Sequence, residues 1–80
     1  MVGRSSFESE LQFGAALRRL RLAAGMSQER LGLEAGIQRN FVSLIETGQN
    51  QPTITTIAKL AKALGMRASE LVAEAERQAP

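Results

Sequence analysis

The chain contains no cysteine, no histidine, no tryptophan and no tyrosine, and only two of its 80 residues are proline. Without cysteine it cannot form disulfide bonds, and without cysteine or histidine it lacks the usual ligands of zinc. We therefore expect a cytoplasmic protein that holds no metal and no cofactor. The shortage of proline agrees with short packed helices joined by few loops.

Long apolar runs are missing as well. None approaches the roughly 18–20 residues that a membrane-spanning helix requires, and the N-terminus lacks the apolar segment of a signal peptide. A chain of 80 residues is long enough for one hydrophobic core and too short for two. The sequence therefore predicts one domain with no membrane among its partners, and it gives no sign of a small-molecule ligand.

The net charge is only +2. Strong non-specific nucleic-acid binders are usually much more basic, so a DNA-binding role here requires that a few cations lie on one surface. Catalysis is not indicated either. The chain has no histidine or cysteine, no glycine-rich phosphate loop and no evident pair of carboxylates, and we do not expect an enzyme.

The segment 38–46 has two different faces when its residues are placed at helical period. Its apolar face consists of Ile37, Phe41, Val42 and Ile45. Its polar face consists of Gln38, Arg39, Asn40, Ser43 and Thr47. Side chains that donate and accept hydrogen bonds in pairs match the edges of DNA bases. The pattern favours a recognition helix, and an amphipathic surface helix without a partner is the alternative.

The residues just before this segment predict a second short helix and a turn. Ser27 can cap a helix that begins at the next residue, and Leu31 and Ala35 give that helix an apolar stripe. Gly36 can end it in a left-handed conformation. Gly32 lacks a Cβ and would allow two crossing helices to approach closely. Two short helices joined by a turn that contains glycine are typical of a helix-turn-helix motif.

Three runs together resemble the Xre/Cro-type helix-turn-helix family of bacterial and phage regulators. They are G-M-S-Q-E-R-L-G-x-E-A-G-I at 25–37, F-V-S-x-I-E-T-G at 41–48 and P-T-I-x-T-I-x-K-L-A-K-A-L-G-M at 52–66. The resemblance extends over about residues 13–72. It implies a compact, all-α, five-helix domain of the repressor-like type that binds operator DNA, usually as a dimer.

The remaining helices follow from apolar periodicity. The first has the stripe Phe13, Leu17, Leu20 and Ala24 and ends at Gly25. Thr53 is the expected N-cap of a helix over 54–64 with the inner face Ile54, Ile57, Leu60, Ala61 and Leu64, and with Lys59 and Lys62 outside. We expect a flexible arm at 1–8, the DNA-binding domain at 9–76 and a frayed end at 77–80.

The last predicted helix, from residue 68 to about residue 76, has a short apolar stripe. Met66 and Leu71 are expected to cover the core. Val72 and Ala75 either join them or form the apolar centre of a dimer contact, which the resemblance makes plausible. Arg67 stands where the family often has a capping serine, so we expect this helix to start less firmly.

Two charged positions, Arg21 and Arg30, have two interpretations each. In the family a cation at the position of Arg21 pairs with the acid that ends the recognition helix, here Glu46, and a solvated cation is the alternative. Arg30 replaces the glutamate of the usual capping box. We interpret Arg30 as a tolerated surface substitution, with a phosphate contact as the alternative.

A helix-turn-helix motif would place the N-terminus of its first helix against the DNA backbone. There the free backbone N–H groups and the Gln28 amide can hold a phosphate oxygen. The polar loop after Glu46 can add donors from Thr47, Gln49 and Asn50 without adding charge. A plain solvent-exposed loop is the alternative for each of these residues.

The recognition helix would enter the major groove with its N-terminal end facing the bases. Arg39 is the first candidate for direct readout, because its guanidinium matches the O6/N7 edge of guanine. Asn40 can read adenine in the same bidentate way, and Gln38 and Ser43 are secondary candidates. Leu44 lies off the apolar stripe, where it either touches a thymine methyl group or is covered by the neighbouring loop.

One recognition helix contacts only a few base pairs, which is too little for specific regulation. We therefore predict a homodimer on a pseudo-palindromic operator of double-stranded DNA, with half-sites about 34 Å apart, and repression as its role. A restriction–modification controller or an antitoxin of the same fold is the alternative among DNA-binding regulators. A protein-interaction module that does not bind DNA is the alternative outside them.

Overall fold

Five helices account for the regular secondary structure of the part of the chain that the computed structural model describes, residues 6–77, with side chains described from residue 12 onward. They are α1 (Ser6–Ala23), α2 (Gln28–Ala35), α3 (Arg39–Glu46), α4 (Ile54–Ala63) and α5 (Ala68–Arg77). The all-α, five-helix prediction is confirmed. Residues 6–8 of the expected arm belong to α1, while the rest of that arm and residues 78–80 lie outside the described residues.

The predicted start and end of α2 and the predicted start of α4 are confirmed. The Ser27 hydroxyl accepts a hydrogen bond of 3.0 Å from the backbone N–H of Arg30. Thr53 accepts one of 3.1 Å from the backbone N–H of Thr56. Gly36 ends α2 with a φ of 75°, a conformation in which a Cβ would be strained. Local capping chemistry therefore determines where these helices begin and end.

The side chain of Glu70, for which no role was predicted, holds the start of α5. The Glu70 carboxylate accepts a hydrogen bond of 2.8 Å from the backbone N–H of Arg67. This is the glutamate half of a capping box, present without the serine half. The helix therefore has one of its free N–H groups satisfied even though Arg67 contributes no capping oxygen.

The core lies where α1 packs against α3 and α5 and where α2 and α4 close the remaining sides. Its buried members are Phe13, Leu17, Leu31, Ala35, Val42, Ile45, Leu60, Ala61 and Leu71. Burying each large aliphatic side chain contributes about 1.5–3 kcal/mol relative to leaving it in water. Every helix supplies at least one of these residues, so none of the five can be removed without opening the core. Met66 and Ala75 pack at its edge.

Two residues assigned to the inner face are exposed. Ile54 is 83% exposed, because it is the first residue of α4 and helical side chains lean toward the N-terminus of their helix. Ala24 is exposed because α1 ends one residue earlier, at Ala23, and the chain turns away from the core there. Helical period predicts which residues are buried only within the helix, and it fails at the helix ends.

Gly32 does lie in a close approach, but the nearest atom belongs to the turn rather than to a crossing helix: a Cβ there would lie 2.7 Å from the carbonyl oxygen of Ile37, and 3.4 Å from the backbone nitrogen of Arg39 at the start of α3. A second close approach was not predicted. Gly14, in the middle of α1, lies against the carbonyl groups of Ile45 and Glu46 at the end of α3. The absence of a side chain at Gly14 thus allows α1 to contact the backbone of α3 directly.

Candidate nucleic-acid interface

The N-terminal end of α3 presents an exposed polar surface. Gln38 is the N-cap residue with extended backbone angles, and its side chain makes no capping hydrogen bond. Gln38, Arg39 and Asn40 are all exposed. In the described part of the chain Arg39 forms neither an ion pair nor a side-chain hydrogen bond. Its guanidinium therefore keeps its five N–H donors free for an external acceptor.

The opposite side of α3 is fixed in the core. Val42 and Ile45 are fully buried, and Ile37 and Phe41 are partly buried and pack against the core cluster. This packing confirms the predicted apolar face and sets the rotation of the helix about its axis. Consequently the exposed polar residues at its N-terminal end point away from the protein.

The loop after α3 folds back onto the end of the helix. The Leu44 carbonyl accepts hydrogen bonds from the backbone N–H groups of Gln49 and Asn50, at 2.9 and 3.2 Å. The Thr47 hydroxyl lies 3.0 and 3.2 Å from the carbonyls of Ser43 and Leu44, and accepts from the Gln49 amide at 3.0 Å. The single hydroxyl proton of Thr47 is thus used within the protein, whereas the Gln49 amide keeps one N–H free.

The predicted pair of Arg21 and Glu46 is confirmed. Arg21 Nε donates to Glu46 Oε2 at 2.6 Å, and Arg21 Nη2 donates to Oε1 at 3.1 Å. Both residues are only 7% exposed. Arg21 Nη1 also donates to the carbonyl of Met26 at 2.8 Å. One guanidinium therefore joins α1, the residue before the cap of α2, and the last residue of α3.

Gln28 takes part in the same network, a contact that was not predicted. Its Nε2 donates to Glu46 Oε1 at 3.1 Å. The two residues are 18 positions apart, so no local pattern indicates this contact. The available signal was chemical: a carboxylate that accepts a two-point contact from arginine still has lone pairs for another donor. The first residue of α2 is thereby attached to the last residue of α3.

Residues 17–71 match the family model described as helix-turn-helix. The chain belongs to the helix-turn-helix family. In it α2, the turn at Gly36 and α3 form the motif, and Gln38 is the N-cap of α3.

Relatives match most of the chain. The control protein C.BamHI of Bacillus amyloliquefaciens is 38% identical over 63 residues, which are 78% of each chain. The uncharacterized HTH-type transcriptional regulator y4dJ of Sinorhizobium fredii is 37% identical over 74% of this chain and 77% of its own. The restriction-modification controller protein C.AhdI from Aeromonas hydrophila has a solved structure with a TM-score of 0.78 and 41% identity, over 80% of this chain and 97% of that one. These names are those of regulators and controllers rather than of enzymes.

The candidate residues of the helix-turn-helix motif form two groups at opposite ends of α3, a helix of eight residues and thus about 12 Å long. Gln38, Arg39 and Asn40 lie at its N-terminal end. At its C-terminal end lie Gln28, which is tied to Glu46, and the loop residues Thr47, Gln49 and Asn50. Ser43 and Leu44 are half-buried between the two groups.

The charges of the motif are few. Arg30 pairs with Glu34 at 2.6 Å across one turn of α2, as an exposed surface pair. Within the described residues this leaves Arg39 as the cation of α2 and α3 that has no acidic partner. No helix of the described part is long and apolar enough to cross a membrane, and the same residues contain no acidic cluster suited to hold a metal ion.

Proposed function

We propose that this helix-turn-helix regulator binds a pseudo-palindromic DNA operator as a homodimer and represses the promoter that the operator overlaps. The observation that carries the proposal is the N-terminal end of α3. There an unpaired guanidinium at Arg39 and the exposed amides of Gln38 and Asn40 stand on a helix whose rotation is fixed by the core. Side chains on a rigid element discriminate between bases at little entropic cost.

Direct readout comes from this end of α3. Arg39 donates two hydrogen bonds to the O6 and N7 acceptors of a guanine, and Asn40 pairs with the N6/N7 edge of an adenine. Gln38 and Ser43 contact neighbouring bases or phosphates. Leu44, which is half-buried beside the loop, supplies the apolar surface that a thymine methyl group contacts.

Phosphate contacts come from the other end. The backbone N–H groups at the start of α2 and the amide of Gln28 hold one phosphate oxygen. Gln49 and Asn50 donate to a second phosphate, and Thr47 holds the loop in shape through its own hydrogen bonds. Amide donors add little net charge. We therefore expect the affinity to fall less steeply with salt than it does for a regulator that neutralises many phosphates.

Dimerisation follows from the size of α3. A helix of about 12 Å spans roughly three to four base pairs at 3.4 Å each, which does not specify one site in a genome. Two recognition helices related by two-fold symmetry double the recognised length and require half-sites about 34 Å apart. A dimer that covers a promoter excludes the polymerase, and repression is the simplest result.

Control of a restriction–modification system is the second candidate. It is supported by the likeness to the control protein C.BamHI and to the controller C.AhdI, each matched over at least 78% of its own length. The two roles can be separated by measuring transcription from the promoter of the gene that encodes this protein, over a range of protein concentrations. A repressor lowers the transcript level at every concentration, whereas a controller raises it first and lowers it later.

The test is a selection from random duplex DNA with purified protein at roughly 150 mM salt, where exposed charges more than about 8 Å apart are largely screened. We expect an inverted repeat with half-sites about one turn apart, bound by two copies of the chain. Sedimentation of the complex measures the stoichiometry. Enrichment of no sequence would refute DNA recognition, and one copy per bound duplex would refute the dimer.

A further inference from the structure

We infer that Glu46 is a positioning residue for DNA, which orients the Gln28 amide toward a phosphate. The inference rests on the proposed function. It starts from the three donors that converge on one buried carboxylate: Arg21 Nε at 2.6 Å, Arg21 Nη2 at 3.1 Å and Gln28 Nε2 at 3.1 Å. Every buried side-chain nitrogen and oxygen in the described part has a hydrogen-bond partner.

The carboxylate determines which way the Gln28 amide faces. An ionised carboxylate only accepts hydrogen bonds, so Nε2 rather than Oε1 must face Glu46. Nε2 carries two hydrogens, and Glu46 takes one of them. The second hydrogen has no acceptor within the described residues, and the half-buried Gln28 side chain lies at the N-terminus of α2, where the helix favours an anion. Glu46 thus selects the donor end of the amide for the phosphate.

Arg21 makes this arrangement compatible with DNA. A carboxylate beside a phosphate would normally repel it. The two-point contact with Arg21 neutralises Glu46, and the same guanidinium holds the Met26 carbonyl at 2.8 Å, just before the cap of α2. The network therefore fixes the phosphate-binding end of α2 relative to α3, which reads the bases. A change in this spacing would shift the protein's register on DNA.

The first experiment measures the amide in the free protein. Side-chain NMR of Gln28 should show one Nε2 proton that exchanges slowly with solvent and one that exchanges fast. In Glu46→Gln a single carbonyl oxygen replaces two acceptor oxygens for three donors, and we expect the difference to disappear. Equal exchange of the two protons in the wild-type protein would overturn the inference without reference to DNA.

The second experiment replaces operator phosphates one at a time by neutral methylphosphonate and measures affinity. For the wild-type protein, replacement at either of two symmetry-related phosphates should weaken binding about tenfold, which is the size expected for the loss of a hydrogen bond to a charged group. In Gln28→Ala and in Glu46→Gln the cost at these positions should fall to about threefold or less, and the cost at other phosphates should not change. The double variant should lose no more affinity than the worse single variant.

Glu76→Gln is the matched control. It removes the same charge from an exposed residue of α5 and should leave the phosphate profile intact. A uniform loss at all phosphates in Glu46→Gln would mean a merely structural role and would overturn the inference. If Glu46→Gln does not fold, Glu46→Asp keeps the charge but withdraws the carboxylate from Gln28, and it should give the same profile. Failure of the wild-type protein to bind any duplex would overturn the proposed function, whatever the NMR result.

Discussion

A Cβ added to Gly14 would lie 2.5 Å from the carbonyl oxygen of Glu46. The first helix, α1, therefore touches the backbone of α3 at the residue that also carries the buried carboxylate. Gly14 lies within α1, and Glu46 is the last residue of α3. The backbone of neither residue can therefore shift without moving its helix. The position of α3 on the protein depends on the absence of a side chain at Gly14.

Gly14→Ala should lower the free energy of unfolding by about 1–3 kcal/mol, the usual cost of overpacking. Helix propensity alone predicts the opposite, a gain of about 0.5–1 kcal/mol. Urea denaturation measures the difference. Ala15→Gly, at the exposed neighbouring position, reports the propensity term by itself. A Gly14→Ala protein more stable than the wild type would show that separating the two helices costs less than the gain in helix propensity.

Arg21→Met should lower the free energy of unfolding by about 3–5 kcal/mol, because it leaves the Glu46 carboxylate buried without its cation. The double variant Arg21→Met/Glu46→Leu should recover most of the loss, since it removes both charges. Thermal and urea denaturation give these values. Glu34→Gln, which breaks the exposed pair with Arg30, should change stability by about 0.5 kcal/mol or less. Equal losses for the exposed and the buried pair would contradict this account.

Ile54→Thr should leave the free energy of unfolding within about 0.5 kcal/mol of the wild-type value, because the side chain is 83% exposed. Leu60→Ala in the same helix should cost about 2–5 kcal/mol, because Leu60 has no exposed surface. The comparison uses one helix and one unfolding assay. A large loss for Ile54→Thr in the monomeric protein would indicate that Ile54 packs against the core after all.

Arg39→Ala should weaken binding to the selected operator by about 1–3 kcal/mol, which is about 5- to 160-fold, and should relax one symmetric base position. Binding to random duplex should change little by comparison. Arg18→Ala removes the same charge from an exposed position of α1 and serves as the control. The same loss on operator and random DNA would mean that Arg39 contacts only a phosphate.

Most of the fold was predictable because its signals are local. Ser27 and Thr53 cap helices by reaching three residues along the chain, and the period of Leu31, Ala35, Val42 and Ile45 defines the buried faces. The same period places Gln38, Arg39 and Asn40 on the exposed face of α3. Ile54 and Ala24 were misplaced because a helix end changes the direction of side chain or backbone.

The sequence alone determined where α2 begins and ends, where α4 begins and which residue types face water, because capping and amphipathic period act within one turn of the chain. Only the tertiary structure decided which helices touch. The contacts of Gly14 with the end of α3 and of Gln28 with Glu46 join residues far apart in sequence. They depend on how five separately predictable helices pack into one core. The sequence alone therefore predicts α3 and its exposed polar end. How α3 is attached to α1 and α2 depends on the packing of the whole domain.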